Sequence, residues 1–250
     1  MKNQPYDLLA RHYDTVAVYA APMNAHARRK LLGRLEREVK SVCDLACGSG
    51  ETALALAQSG KEVFAVDLSP EFCKIVKQKA REAKLAVTVI EADMRKFRLP
   101  ARVDLVVCEF AALNNLERHS ALATTFASVK RALKPGGWFL FDVNTPLAFQ
   151  TQVAETHWVD THRFKLVMHG SSAPDGRHAR VDLEWFTPSG KSFRHETETI
   201  HHVAWTDAEI RAALKRAGFT LLRAADGVEV RPKMPGMVRG TDAYYLARLR

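Results

Sequence analysis

Through residues 1–40 the apolar positions Leu31, Leu32, Leu35 and Val39 recur at helical spacing, which predicts a helical N-terminal segment. From residue 41 the period changes. Ser41–Ala46 reads as a strand and Thr52–Ser59 as a helix, closed by Gly60 where a left-handed cap costs least. Glu62–Asp67 reads as the second strand. Ser69-Pro70 opens the next helix as N-cap and first-turn proline, and that helix runs to about Lys84. Val87–Glu91 is the third strand. Val103–Cys108 is the fourth, mostly apolar like a parallel strand covered on both faces. A helix from about Leu116 to Leu133 stops at Lys134-Pro135-Gly136-Gly137, and Trp138–Asp142 is the fifth strand.

Strands that alternate with helices predict a parallel sheet covered on both faces. Right-handed crossovers make that sheet doubly wound. Ligands of such sheets bind beyond the carboxyl ends of the strands. Here those ends carry Asp44 to Cys47, Asp67, Asp93, Glu109 and Asp142 to Asn144. After Asn144 three alternating runs, at residues 163–168, 181–186 and 198–205, predict a three-stranded antiparallel insertion. Its turns fall at Pro174-Asp175-Gly176 and Pro188-Ser189-Gly190-Lys191. Thr206-Asp207-Ala208-Glu209 is a capping box that starts a helix ending at Gly218. Phe219–Ala225 and Ala243–Arg248 read as two final strands. The expected class is α/β: a doubly wound, mostly parallel seven-stranded sheet with helices on both faces, plus an antiparallel β insertion after the fifth strand. Residues 1–40 would form a helical cover, 41–150 with 206–250 the sheet domain, and 151–205 the insertion, read as a lid over the acceptor.

The 250 residues are 47% hydrophobic, enough for a substantial core. No run approaches the roughly 18 apolar residues of a membrane span, and the first residues lack the apolar stretch of a signal peptide. A cytoplasmic protein with no membrane partner is expected, as a monomer or homodimer. The four cysteines, at 43, 47, 73 and 108, lack tight Cys-x-x-Cys pairing. They read as reduced core residues, and no metal is expected. A net charge of +9 permits acidic partners, nucleic acid included. The cations are nevertheless spread along the chain, and clusters such as Arg28-Arg29-Lys30 read as solvated helix faces. Seven of the ten histidines fall in or beside the insertion, at 157, 162, 169, 178, 195, 201 and 202. They read as solvated lid residues.

The chemistry concentrates in Asp44-Leu45-Ala46-Cys47-Gly48-Ser49-Gly50. A strand, a glycine turn and a helix start bring bare backbone N–H groups against a ligand. Gly48-Ser49-Gly50-Glu51-Thr52-Ala53 also satisfies a dinucleotide fingerprint, with Asp67 near the ribose-acid spacing. Asp44 argues against that ligand, because an anion at the strand end repels a pyrophosphate. It suits a ligand carrying an ammonium and a sulfonium.

Five segments in order, Asp44 to Gly50, Val66 to Ser69, Glu91 to Met94, Asp104 to Leu116 and Leu133 to Gly137, resemble the Rossmann-like S-adenosylmethionine-dependent methyltransferases. The start, Tyr6 to Asp14, and the late insertion resemble the small-molecule type, including enzymes that N-methylate amino sugars. The resemblance implies S-adenosylmethionine as cofactor and S-adenosyl-L-homocysteine as product. It implies that Gly48 and Gly50 admit the methionine part, that Asp44 or its turn holds its ammonium, and that Ala46 is a further cofactor-binding residue. Asp67 would accept the ribose hydroxyls, and Asp93 the adenine amino group between Met94 and Leu68. Glu109 and Phe110 would face the sulfonium, with Tyr13 closing over the cofactor. Glu109 and His119 are the candidate bases, and Asn114 and Asn115 are candidates for orienting the acceptor, Asn114 being the one the resemblance favours. Ala111-Ala112 stands where many relatives carry an acid or serine. The segment lacks the Asn-Pro-Pro-Tyr and Pro-Cys signatures of nucleobase methylation. The expected reaction is in-line methyl transfer to an N or O atom of a small molecule. The alternatives are an RNA or protein methyltransferase, and a non-catalytic S-adenosylmethionine-binding protein.

Overall fold

A computed structural model describes residues 6–18, 20–152, 155–233 and 237–250. The start of the chain, where a leader was judged absent, falls largely outside them. The N-terminal segment is helical: α1 (Asp7–Ala10), α2 (Tyr13–Val16) and α3 (Ala20–Leu32), then a short 3-10 turn at Gly33–Arg37. Next come β1 (Ser41–Leu45), α4 (Glu51–Gln58), β2 (Glu62–Asp67), α5 (Pro70–Glu82), β3 (Val87–Glu91) and β4 (Val103–Cys108). A 3-10 turn at Ala112–Asn115 leads to α6 (His119–Ala132), β5 (Leu133–Asn144) and α7 (Pro146–Thr151). Four strands follow: β6 (Thr156–Asp160), β7 (Lys165–Ser172), β8 (His178–Ser189) and β9 (Ser192–Val203). The chain ends with α8 (Asp207–Ala217), β10 (Phe219–Asp226), α9 (Gly227–Val230) and β11 (Asp242–Leu249).

The main sheet has seven strands in the order β10-β11-β5-β4-β1-β2-β3. Strands β1 to β5 pair in parallel, and β11 runs antiparallel to both β5 and β10. Alternate residues of the buried strands feed two cores, as a period of two requires. Cys43, Leu45, Phe64 and Val66 join Phe126, Phe139, Phe141 and Trp205 on the face covered by α6 and α8. Val42, Val63 and Ala65 join Leu31, Leu56 and Val230 on the face covered by α3, α4 and α9. The expected caps are present. Ser69 Oγ accepts from the Phe72 N–H, and Thr206 with Glu209 forms the full capping box of α8.

Two local expectations are corrected. Lys134-Pro135-Gly136-Gly137 does not separate α6 from the fifth strand: β5 begins at Leu133, which pairs with Val103 ahead of a bulge. That pairing holds the backbone extended through the proline. The insertion has four strands, in the order β6-β7-β8-β9, where three were expected. The unforeseen β6 is an edge strand with almost no buried position, so it shows no alternation to read; Trp158 is 82% exposed.

The insertion packs on the N-terminal helices. Leu8 and Leu9 of α1 join Leu166, Leu183, Trp185 and Ile200 of the small sheet in one buried cluster, with Tyr6 and Tyr13 against it. The Glu198 carboxylate of β9 accepts hydrogen bonds from the Leu8 and Leu9 N–H groups, both at 3.2 Å. These are N–H groups that a helix start leaves without partners. A short helix that is marginal alone is thus fixed by a residue roughly 190 positions away in sequence.

Candidate active site

Beyond the carboxyl ends of β1, β2, β4 and β5 lies a cavity of about 1490 Å³. Its floor is the turn after β1. Ala46 and Gly48 take positive φ, at 58° and 53°, which swings the chain into a tight loop under Tyr13. A Cβ on Gly48 would sit 3.7 Å from the Tyr13 ring, so the glycine leaves backbone open toward the cavity. Asp67, at the end of β2, receives one backbone donor on each carboxylate oxygen: Gly48 N–H at 2.8 Å and Ser69 N–H at 2.9 Å. Burial pushes its carboxyl up despite those donors. Leu68, Asp93, Met94 and Phe110 line the same cavity. Asp93 is engaged by the Arg95 side chain and N–H, and this ion pair lowers its pKa. Gly50 does not line the cavity. A Cβ there would meet Val76 of α5 at 2.7 Å, so this glycine serves helix packing instead of the expected approach to a ligand.

Among the described residues, three buried oxygens of the cavity wall have no hydrogen-bond partner: Asp44 Oδ2, Asp142 Oδ1 and Asn24 Oδ1. Such groups are costly unless a ligand or water completes them. Burial, with the Glu109 carboxylate nearby, pushes Asp44 up to about 8. Burial pushes Asp142 up to about 7, although Arg231 and the Ala111 N–H work the other way. An ammonium fits Asp44, and a ligand with paired hydroxyls fits the remaining lone pairs of Asp67. The residues present therefore suit the polar groups of S-adenosylmethionine.

The expected base and orienting residues are not free for those tasks. Glu109 is clamped by Arg28, whose Nη1 lies 2.7 and 2.6 Å from its two oxygens, and by the Thr52 hydroxyl at 3.0 Å. Arg28 is therefore a buried ion-pair partner and not part of a solvated helix face. His119 does not line the cavity; it pairs with Glu209 at 2.6 Å and packs its ring edge-on to Trp205. Asn114 lines the cavity but spends its amide on the Asn144 and Val203 carbonyls and on the Asn144 N–H. It ties β5 to β9.

The structure also joins Asn115, an expected acceptor-orienting residue, to two residues that the sequence did not single out for the chemistry. Tyr6 donates to Asn115 Oδ1 at 2.7 Å, and His202 Nε2 lies 3.2 Å from the Tyr6 oxygen. All three line the cavity. His202 is not a solvated lid residue: burial pushes it down to about 4. No local pattern announces this trio, since its members lie in three separate parts of the chain. The unpartnered amide of Asn24 is equally silent in sequence.

Residues 42–137 match a family described as a methyltransferase domain. YqeM of Bacillus subtilis (strain 168), a methyltransferase by provisional name, is 29% identical over 194 residues, covering 76% of this chain and 78% of its own. The dTDP-3-amino-3,4,6-trideoxy-alpha-D-glucopyranose N,N-dimethyltransferase of Streptomyces venezuelae is 26% identical over 189 residues, 72% of this chain and 76% of that protein. A crystal structure of an S-adenosylmethionine-dependent methyltransferase from Clostridium acetobutylicum superposes with a TM-score of 0.81 at 21% identity, over 98% of both chains. The fold is that of the Rossmann-like methyltransferases, and residues 42–137 carry a methyltransferase domain. The chain is an S-adenosylmethionine-dependent methyltransferase, and S-adenosylmethionine is its cofactor.

Proposed function

We propose that this enzyme moves a methyl group to a nitrogen or oxygen atom of a small molecule held beneath the antiparallel sheet. The observation that carries this reading is the cavity. At about 1490 Å³ it exceeds the roughly 300–1,000 Å³ typical of a single small ligand, so it has room for a cofactor and a second molecule. Its roof includes Met168, Val181, Leu183 and Ile200 of the insertion. In this reading residues 151–205 are the acceptor lid and 1–40 the cover. The sugar-amine substrate of the Streptomyces venezuelae relative supports the small-molecule class.

Within the same proposal, Asp44 holds the cofactor ammonium and Asp67 the ribose hydroxyls. Asp93 receives the adenine amino group, with Met94 and Leu68 flanking the ring. Ala46, Gly48, Phe110 and Tyr13 enclose the methionine end. Glu109, held in place by Arg28, forms part of that wall. When bound, the cofactor supplies a methyl group already activated on a sulfonium. The chain's own task is then to align the acceptor, exclude water and take up a proton. The four cysteines carry no disulfide, and among the described residues no helix is long and apolar enough to cross a membrane. Both features accord with a cytoplasmic enzyme.

The +9 charge does not extend to the site. Nine acidic and four Lys or Arg side chains line the cavity, a balance that disfavours a nucleic-acid acceptor. The test is transfer of labelled methyl from S-adenosylmethionine into a cell extract fractionated by size. Label in the low-mass fraction is expected. Label confined to nuclease- or protease-sensitive material would overturn the proposal in favour of a macromolecular acceptor.

A further inference from the structure

With Glu109 clamped, Asn114 spent and His119 outside the cavity, the question is which group takes the proton from the acceptor. We infer that His202 is that group, a catalytic base delivered by the lid, with Tyr6 and Asn115 holding it in one tautomer. This rests on the proposed methyl transfer to an N–H or O–H acceptor.

The hydrogen-bond directions assign the tautomer. Asn115 Nδ2 donates to the Ala112 carbonyl at 3.1 Å, which leaves Oδ1 facing Tyr6. The Tyr6 hydroxyl spends its single proton on that oxygen at 2.7 Å. At 3.2 Å from His202 Nε2, the Tyr6 oxygen can only accept. Nε2 therefore carries the hydrogen, and Nδ1 keeps a lone pair with no partner among the described residues. The ring is further fixed by stacking on Phe149, with centroids 6.3 Å apart and planes inclined by 28°. The groups against His202 are Tyr6 and Phe149, with His201 as the titratable neighbour, and Asn115 acts on the ring only through Tyr6. Burial, then His201, pushes the imidazole down to about 4, so it stands neutral at pH 7 with its base form ready. A nucleophile's base oriented by a third group is the general logic of activated acceptors.

The step balances simply. The acceptor's lone pair forms the new bond to the methyl carbon, and the C–S electron pair returns to sulfur. The N–H or O–H bond of the acceptor breaks, and its proton passes to Nδ1, giving an imidazolium that Tyr6 steadies through Nε2–H. A hydroxyl acceptor suits this base best. An attacking oxygen grows strongly acidic as its new bond forms, so a weak neutral base suffices. An amine attacks as the free base and needs no proton removed in the same step.

The experiment compares wild type with His202→Gln, using methyl-labelled S-adenosylmethionine and an ultrafiltered cell extract as acceptor source, with extract concentration and pH varied. Glutamine retains an N–H for Tyr6 and has no basic lone pair. The maximal rate of labelling is expected to fall at least about a hundredfold, the low end for loss of a general base. The half-saturating extract concentration and the calorimetric cofactor affinity should each stay within about threefold. The wild-type decline in rate as pH drops toward about 4 should vanish in the variant. A variant rate within threefold of wild type overturns the inference. So does a cofactor affinity lowered more than tenfold, which marks a structural role. Independently of activity, nitrogen-15 NMR of the labelled histidines should show Nε2 protonated and Nδ1 bare at pH 7, with that preference lost in Tyr6→Phe. A proton on Nδ1 overturns the inference. If wild type labels no low-mass material, the small-molecule reading fails by itself. The His202 comparison then proceeds on whichever fraction carries label.

Discussion

Asp104 and Asp44 sit at opposite ends of neighbouring strands in one sheet, and their surroundings are opposite too. At the amino end, Asp104 accepts from the Lys40 and Ser41 N–H groups, the Ser41 hydroxyl and Lys134 Nζ, all within 3.0 Å. Burial alone would raise its carboxyl, but those donors hold it down at about 2. At the carboxyl end, Asp44 is buried with Oδ2 unpartnered and is pushed up to about 8. Asp142 repeats the pattern, at about 7. A carboxylate whose lone pairs are filled by its own chain stabilises the fold. One left desolvated and incomplete costs stability in the free protein and is held for a ligand.

Substitutions at the two ends should therefore separate binding from stability. The largest effect is expected for Asp44→Asn: cofactor affinity should fall at least about thirtyfold, the loss when one partner of a buried charged contact is removed. Its stability should move the other way. A carboxyl raised in the folded state contributes most at low pH and loses that contribution as pH rises toward about 8. The uncharged variant should thus gain on wild type between about pH 4 and pH 8 in thermal denaturation. A variant that melts lower than wild type at pH 8 would break the comparison. On the proposed ribose role, Asp67→Ala should weaken cofactor binding by more than about tenfold in calorimetry, since two hydroxyls would lose their acceptor. Unchanged affinity would remove Asp67 from the ribose site. The smallest effect belongs to Asp104→Asn, with a loss of about 1 kcal/mol, or roughly 2–4 °C in melting temperature, and cofactor affinity within twofold. A carboxyl depressed in the folded state contributes above its ordinary pKa near 3.9 and loses that contribution as pH falls toward about 2. The difference from wild type should therefore shrink across that window.

The same contrast separates what was legible in sequence from what was not. The boundaries of β2, β3 and β4 agree residue for residue with the sequence reading, because each is a short apolar run between turn signals. The glycine turn, Asp44 and Asp67 were legible because their geometry is local: a strand end, a positive-φ turn and a helix start within a few residues. Gly50 was legible as a glycine but not by its reason, since Val76 reaches it from another helix. Arg28 read as solvent-facing because nothing near it in sequence resembles Glu109, 81 residues away. β6 was missed because an exposed edge strand carries no burial pattern.

The cofactor class came with the resemblance of five segments to methyltransferases. Sequence alone determined the seven-stranded α/β core and the acids at the strand ends. These follow from period, caps and turns, which act over one or two turns of chain. Tertiary structure decided which acids remain unsatisfied, which candidate bases are locked, and that Tyr6, Asn115 and His202 meet. Those outcomes depend on side chains roughly 80 to 200 residues apart competing for the same few lone pairs, and no local pattern records who wins.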